Sequence, residues 1–133
     1  MTLLEIEQAV YNYLVDNWLL TPILPGNIKT VMVAPYIEFL CTPGQINALE
    51  IQGAGERVGI FVINIYTAIG IGVQEGNSYG SSLESLFWHK TISGVTCESG
   101  TVLPYTKFLG ENEEKSVCHH QTIIPFSVIT ESL

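Results

Sequence analysis

The chain predicts an α+β fold: a mixed or antiparallel sheet, built as a meander plus a C-terminal hairpin, with two α-helices on one face in the order α-β-β-β-α-β-β. Three observations point there. Two segments carry apolar residues at helical spacing, five others follow the strand period of two, and glycine- or proline-bearing turns separate them. At 133 residues the length suits one domain, and residues 1–133 contain no linker, internal repeat or low-complexity tract, so one core is expected.

Thr2 and Glu5 form a capping-box pair, each side chain able to satisfy a backbone N–H that the first helical turn leaves open. A helix should begin there, with Leu3, Ile6, Val10, Tyr13 and Leu14 on its apolar side. It must stop before Pro22. The stretch from Leu19 to Ala34 holds Pro22, Pro25 and Gly26 without a sustained period, and reads as an extended surface connection. Long loops in small domains often bind, so Thr21, Pro22, Ile23 and Asn27 are assigned as a partner-contact loop.

From Pro35 the period becomes two, with Ile37, Phe39 and Cys41 alternating with Tyr36, Glu38 and Leu40 until Pro43-Gly44 predicts a turn. A short strand from Ile46 to Gln52 and a turn at Gly53-Ala54-Gly55 follow. Arg57 to Ala68 is the strongest strand, with Phe61, Ile63 and Ile65 on one face and Val58, Ile60, Val62 and Tyr66 on the other. Both faces are oily. A sheet with helices on one side only would leave one of them in water, so a packed subunit is expected to cover it. The row Phe61, Ile63 and Ile65 is assigned to that self-assembly interface.

Tyr79, Leu83, Leu86 and Phe87 return to helical spacing, which predicts a second helix from Gln74 to Trp88. Gly76 and Gly80 weaken it by about 1 kcal/mol each relative to alanine, so close packing on the sheet is the expected compensation. Two last strands, Gly100 to Leu109 and Ser116 to Ile129, flank the polar hairpin loop Gly110 to Lys115. Within the last one, Pro125 cannot donate to a ladder and is expected at an edge or bulge. Trp18 and Trp88 end the two helices and are expected to seal the core edge.

Composition narrows the function classes. Thirteen acids against five Lys and Arg give a net charge of -8, with no basic patch to neutralise a row of phosphates. The charged fraction of 14% falls well below the roughly 25% of ordinary soluble domains. Together with a positive mean hydropathy, this implies spare apolar surface and self-association. Asn64 interrupts the longest apolar run, Val58 to Ala68, so no membrane span is expected. No secretion signal is read at the N-terminus, and Cys41, Cys97 and Cys118 are expected to be reduced in the cytoplasm.

Candidate chemistry is sparse. Cys118-His119-His120, with Cys97 and His89 as distant partners, is the constellation nearest to a metal site. Adjacent strand residues point to opposite faces, so His119 and His120 cannot readily share an ion, although Cys118 and His120 could; ordinary strand histidines are the default. The same residues supply a thiol and bases without a frame that would activate them, so no catalytic residue is assigned. Gly70-x-Gly72-x-x-x-Gly76 lacks the Lys-Ser/Thr of a P-loop. Glu113 and Glu114 sit in a predicted loop tip where nothing would shift their acidity. A solvated tip is the default reading, and a subunit contact through Glu111, Asn112, Glu113 and Glu114 is the alternative.

The order of elements, with Trp18-x-x-Thr21-Pro22-Ile23 after the first helix, Pro35-Tyr36-Ile37 opening the first strand, a glycine-bounded turn before the second helix and Ile124-Pro125-Phe126 in the last strand, resembles the lambda-like tail terminator proteins of long-tailed bacteriophages. The match runs nearly end to end. It departs from the family pattern in the second helix, which is rich in Gly and Ser where relatives often carry Ala. The resemblance implies a structural virion protein, without cofactor or enzymatic activity, that forms a ring of about six copies. Such a ring caps the tail tube, stops its growth and meets the head connector of the neck, with DNA only as passing cargo. An acidic bore would let that polyanion slide. Two rivals stand beside it: a neck or head-completion adaptor, and a small cytoplasmic metal-binding or hydrolytic domain using Cys118 to His120.

Overall fold

A computed structural model describes residues 2–25, 35–48, 55–68, 74–98, 100–109 and 117–130, with backbone alone at 25, 43–48, 101–109, 117–118 and 130. The architecture is α+β. Helix α1 spans Leu3–Asn17 and α2 spans Gln74–Phe87; the strands are β1 (Ile23–Pro25), β2 (Tyr36–Ala48), β3 (Gly55–Ala68), β4 (Thr91–Ile92), β5 (Val95–Cys97), β6 (Thr101–Leu109) and β7 (Val117–Thr130). They form one mixed sheet in the order β1-β2-β3-β7-β5-β4, with β6 also paired to β7.

The first helix begins where its capping residues demand. Glu5 N–H donates to Thr2 Oγ1 at 3.2 Å and Thr2 N–H to Glu5 Oε1 at 3.1 Å, closing the capping box. Ile6, Val10 and Leu14 are its buried stripe. They meet the sheet face formed by Ile37, Phe39, Phe61, Ile63, Ile65, Ile124, Phe126 and Val128. Leu83 and Phe87 of α2 join the same core. Tyr13 ties the helices together, donating its hydroxyl to the Leu86 carbonyl at 2.8 Å and lying against Phe87 with ring centroids 5.4 Å apart.

An aromatic chain runs through this core: Tyr11 to Phe39 at 5.9 Å, Phe39 to Phe61 at 5.6 Å and Phe61 to Phe126 at 4.4 Å. Gly59 makes the last step fit. A Cβ there would lie 2.7 Å from the Phe126 ring and 2.6 Å from the Thr42 carbonyl, closer than packed atoms come.

Four expectations need correction. Pro43-Gly44 makes no turn: β2 is continuous, and its register with β3 shifts between Pro43 and Ile46. A bulge absorbs the proline because the ladder is already broken there. The connection from Leu19 onward is not wholly irregular either, since β1 pairs parallel to β2, with Ile37 N–H donating to the Pro22 carbonyl at 3.1 Å. Between α2 and β6 lies a hairpin that the sequence reading missed, β4 and β5. Its two-residue loop, Ser93-Gly94, has φ of 49° and 90°, the left-handed pair that matches strand twist.

Pro125 is the fourth correction. It sits inside the sheet, opposite Ile60 of β3. Its carbonyl accepts from Glu98 N–H at 2.8 Å, so its missing N–H also faces away from β3, because both groups of an antiparallel residue point to one side. On that side β6 pairs with β7 only as far as Ile123, and β5 begins at Phe126. The proline occupies the gap between the two ladders.

Candidate functional site

With both helices on one side, the other side of β2, β3 and β7 carries a second set of residues. Strand register places them in cross-strand rows: Tyr36, Tyr66 and His119; Glu38, Asn64 and Gln121; Leu40, Val62 and Ile123; Thr42, Ile60 and Pro125. The face is therefore divided lengthwise. One end is aromatic and polar, the other aliphatic.

The polar end satisfies itself. Asn64 Nδ2 donates to Glu38 Oε1 at 3.0 Å, and the Tyr66 hydroxyl donates to the same oxygen at 3.4 Å. Asn64 Oδ1 accepts from Gln121 Nε2 at 2.9 Å and faces His119 Nε2 at 2.8 Å. A carboxylate can only accept, which orients the Asn64 amide, and an amide oxygen can only accept, which puts the proton on His119 Nε2. The rings stack as a ladder, Tyr36 on Tyr66 at 4.8 Å and Tyr66 on His119 at 5.1 Å. Burial, and then the Glu38 charge, pushes the Tyr66 hydroxyl up to about 12. The stack closes both faces of Tyr66 and the inner faces of Tyr36 and His119.

At the aliphatic end Leu40, Val62, Ile60, Ile123 and Pro125 are partly exposed, and Ile129 is 68% exposed. No charged side chain stands in those two rows. Thr42 is the one polar side chain in them, so such a strip can be covered without burying a charge.

The row assigned to self-assembly lies on the helix side of β3. Phe61, Ile63 and Ile65 are each fully buried under the helices and cannot meet a neighbour. Their alternates, Ile60 and Val62, occupy the open face. A signal was present in the sequence: the wholly apolar set Phe61, Ile63 and Ile65 is the better core face, whereas the opposite set contains Asn64. Glu111, Asn112, Glu113, Glu114 and Asn27 lie outside the described residues.

In the predicted contact loop, Thr21 serves the chain itself. Its hydroxyl accepts from Trp18 Nε1 at 2.8 Å and donates to the Pro22 carbonyl at 3.0 Å. Pro22 is exposed and Ile23 partly so, next to Leu19 and Leu20, which protrude. Trp18 seals the core edge at 5% exposure, but Trp88 does not: Phe87 takes the inward position and Trp88 is 49% exposed.

The histidines separate as strand alternation requires. His119 belongs to the open face, while His120 is fully buried on the helix side. Cys97 is buried, and burial pushes its thiol up to about 11, the direction opposite to that of an activated nucleophile. His89 is exposed, at φ 48° just past α2, edge-on to Trp88. Among the described residues no three His, Cys, Asp or Glu side chains converge as a metal site; the Cys118 side chain lies outside that description. No helix among the described residues is long and apolar enough to cross a membrane.

No protein-family model and no curated protein matches the chain. Among solved structures, 18 chains match. One of them, whose name states no function, aligns with a TM-score of 0.59 over 92% of this chain and 89% of its own, at 14% identity. At that identity the likeness shows a shared fold.

Proposed function

We propose that the chain is a structural subunit of a phage tail, assembling with copies of itself into a ring, of about six, that caps the tail tube and meets the head connector. The observation that carries this reading is the open sheet face, where an aliphatic strip around Leu40, Val62 and Ile123 adjoins a polar row whose hydrogen bonds are already made. A face of that kind favours a protein neighbour over water. The acid surplus suits a bore through which DNA passes, and the end-to-end resemblance in element order supplies the tail setting. In this reading the protein has no catalytic role, takes no cofactor and resides in the virion.

Two experiments test it. Sedimentation of the purified protein against concentration should show self-association that Val62→Asp abolishes, while Val62→Asp stays folded because Val62 is not in the core. Electron microscopy of particles lacking the protein should show overlong tail tubes. Normal-length tails without heads would instead establish the neck-adaptor reading, and stoichiometric zinc lost on Cys118→Ala and His120→Ala would replace both with a metal-binding domain.

A further inference from the structure

His120 is fully buried, lies in register with Ile65 of β3, and is roofed by the backbone of α2. An ideal Cβ on Gly76 would stand 2.1 Å from the imidazole Cε1 and 2.2 Å from Nδ1, so only glycine lets the helix come this low. Among the described residues neither ring nitrogen has a hydrogen-bond partner, and the buried Thr67 and Thr122 hydroxyls and Asn77 Oδ1 find none there either. A neutral imidazole endures this at modest cost. An imidazolium would be a buried charge with no counter-charge bonded to it, which is far more expensive.

Among the described side chains the titratable residues on the surrounding elements do not answer that charge; Cys118, on the same face of β7 as His120, has its side chain outside that description. On α2, Glu75 precedes Gly76 but is engaged by the Tyr79 hydroxyl one turn on. On β3, Tyr66 belongs to the open face and bonds Glu38. On β7, His119 also faces the open side, bonded to Asn64. β6 contributes Tyr105 and Lys107 by sequence, and Lys107, in register with His119, belongs to the open side of the sheet rather than to the side of His120.

We propose that His120 makes the seat of α2 acid-sensitive: the helix is docked while the imidazole is neutral and is released when the ring takes up a proton. Burial lowers the His120 pKa below the ordinary histidine value, so the released state binds the proton more tightly. The docking contribution is then complete above about pH 6.5, the unperturbed histidine value, and is lost as pH falls below it. His119, one residue away, behaves differently, since its Nε2–H donates to Asn64 in either charge state. The latch is independent of the ring-subunit reading.

The test is an acid titration of the intact chain followed by tryptophan fluorescence. Trp18 lies edge-on to Tyr79 of α2 at 6.0 Å and Trp88 follows the helix end, so both report its seat. The wild type should show a cooperative transition below about pH 6.5, His119→Gln should retain it, and His120→Gln should move its midpoint down by about one pH unit or more. Equal midpoints in wild type and His120→Gln would overturn the proposal. Should His120→Gln fail to fold, histidine NMR of the wild type decides: a His120 ring that titrates to imidazolium while the α2 amides stay native refutes the latch, and loss of native α2 signals in step with protonation supports it.

Discussion

Replacing Gly76 by alanine sets two effects of opposite sign against each other at one position. Alanine is favoured over glycine inside a helix by about 1 kcal/mol, so propensity alone predicts a more stable protein. The new methyl group, however, would stand 2.1 Å from the His120 ring, and that ring is fully buried with nowhere to retreat. Overpacking of a filled core costs about 1–3 kcal/mol, and so close an approach belongs at the upper end. The net expectation is destabilisation of about 2 kcal/mol, or roughly 5–8 °C in melting temperature for a domain of this length. Removing the ring should reverse the sign: in a His120→Ala background, Gly76→Ala should stabilise by up to about 1 kcal/mol, giving a coupling of roughly 3 kcal/mol between two residues in contact. Urea unfolding of the four proteins at pH 7.5, followed by tryptophan fluorescence, closes the cycle. An alanine that stabilises the wild type, or that shifts both backgrounds equally, would show that α2 does not rest on His120.

Three further outcomes follow from the same geometry. Phe61→Ala, which empties the middle of the aromatic chain, should cost about 3–5 kcal/mol, whereas Val62→Ala on the open face should cost under about 1 kcal/mol; equal losses by chemical denaturation would mean that the faces are misassigned. Tyr66, with its hydroxyl held at about 12, stabilises the fold fully below pH 10, its unperturbed value, and loses that contribution as pH rises from 10 toward 12, so Tyr66→Phe should flatten the alkaline limb of the stability profile. Thr2→Ala opens the capping box and should cost about 1 kcal/mol, with Thr2→Ser restoring most of it in thermal melts.

Much of this architecture is legible locally. The Thr2–Glu5 pair marks the start of α1, and the helical spacing of Leu83 and Phe87 and the period of two in β3 and β7 mark elements whose bounds agree to within a residue or two. What escapes local reading depends on partners. β1 is three residues long and exists because β2 offers it a parallel edge. Pro43-Gly44 has the composition of a turn, yet becomes a bulge because β3 continues alongside it. The Ser93-Gly94 hairpin was within reach, since a glycine-containing pair between Ile92 and Val95 is a turn signal, but its strands are too short to show a period.

The candidate surface divides along the same line. Sequence alone established that β3 carries two apolar faces and that charged residues make up only 14% of the chain. It also separated His119 from His120, because alternation along a strand follows from backbone geometry. Only tertiary structure decided which face the helices cover. Alternation sorts residues into two sets without saying which set is inside, and that choice depends on where α1 and α2 settle, on contacts between residues far apart in the chain. The burial of Phe61, the exposure of Val62 and the imidazole under Gly76 are all consequences of that one docking event.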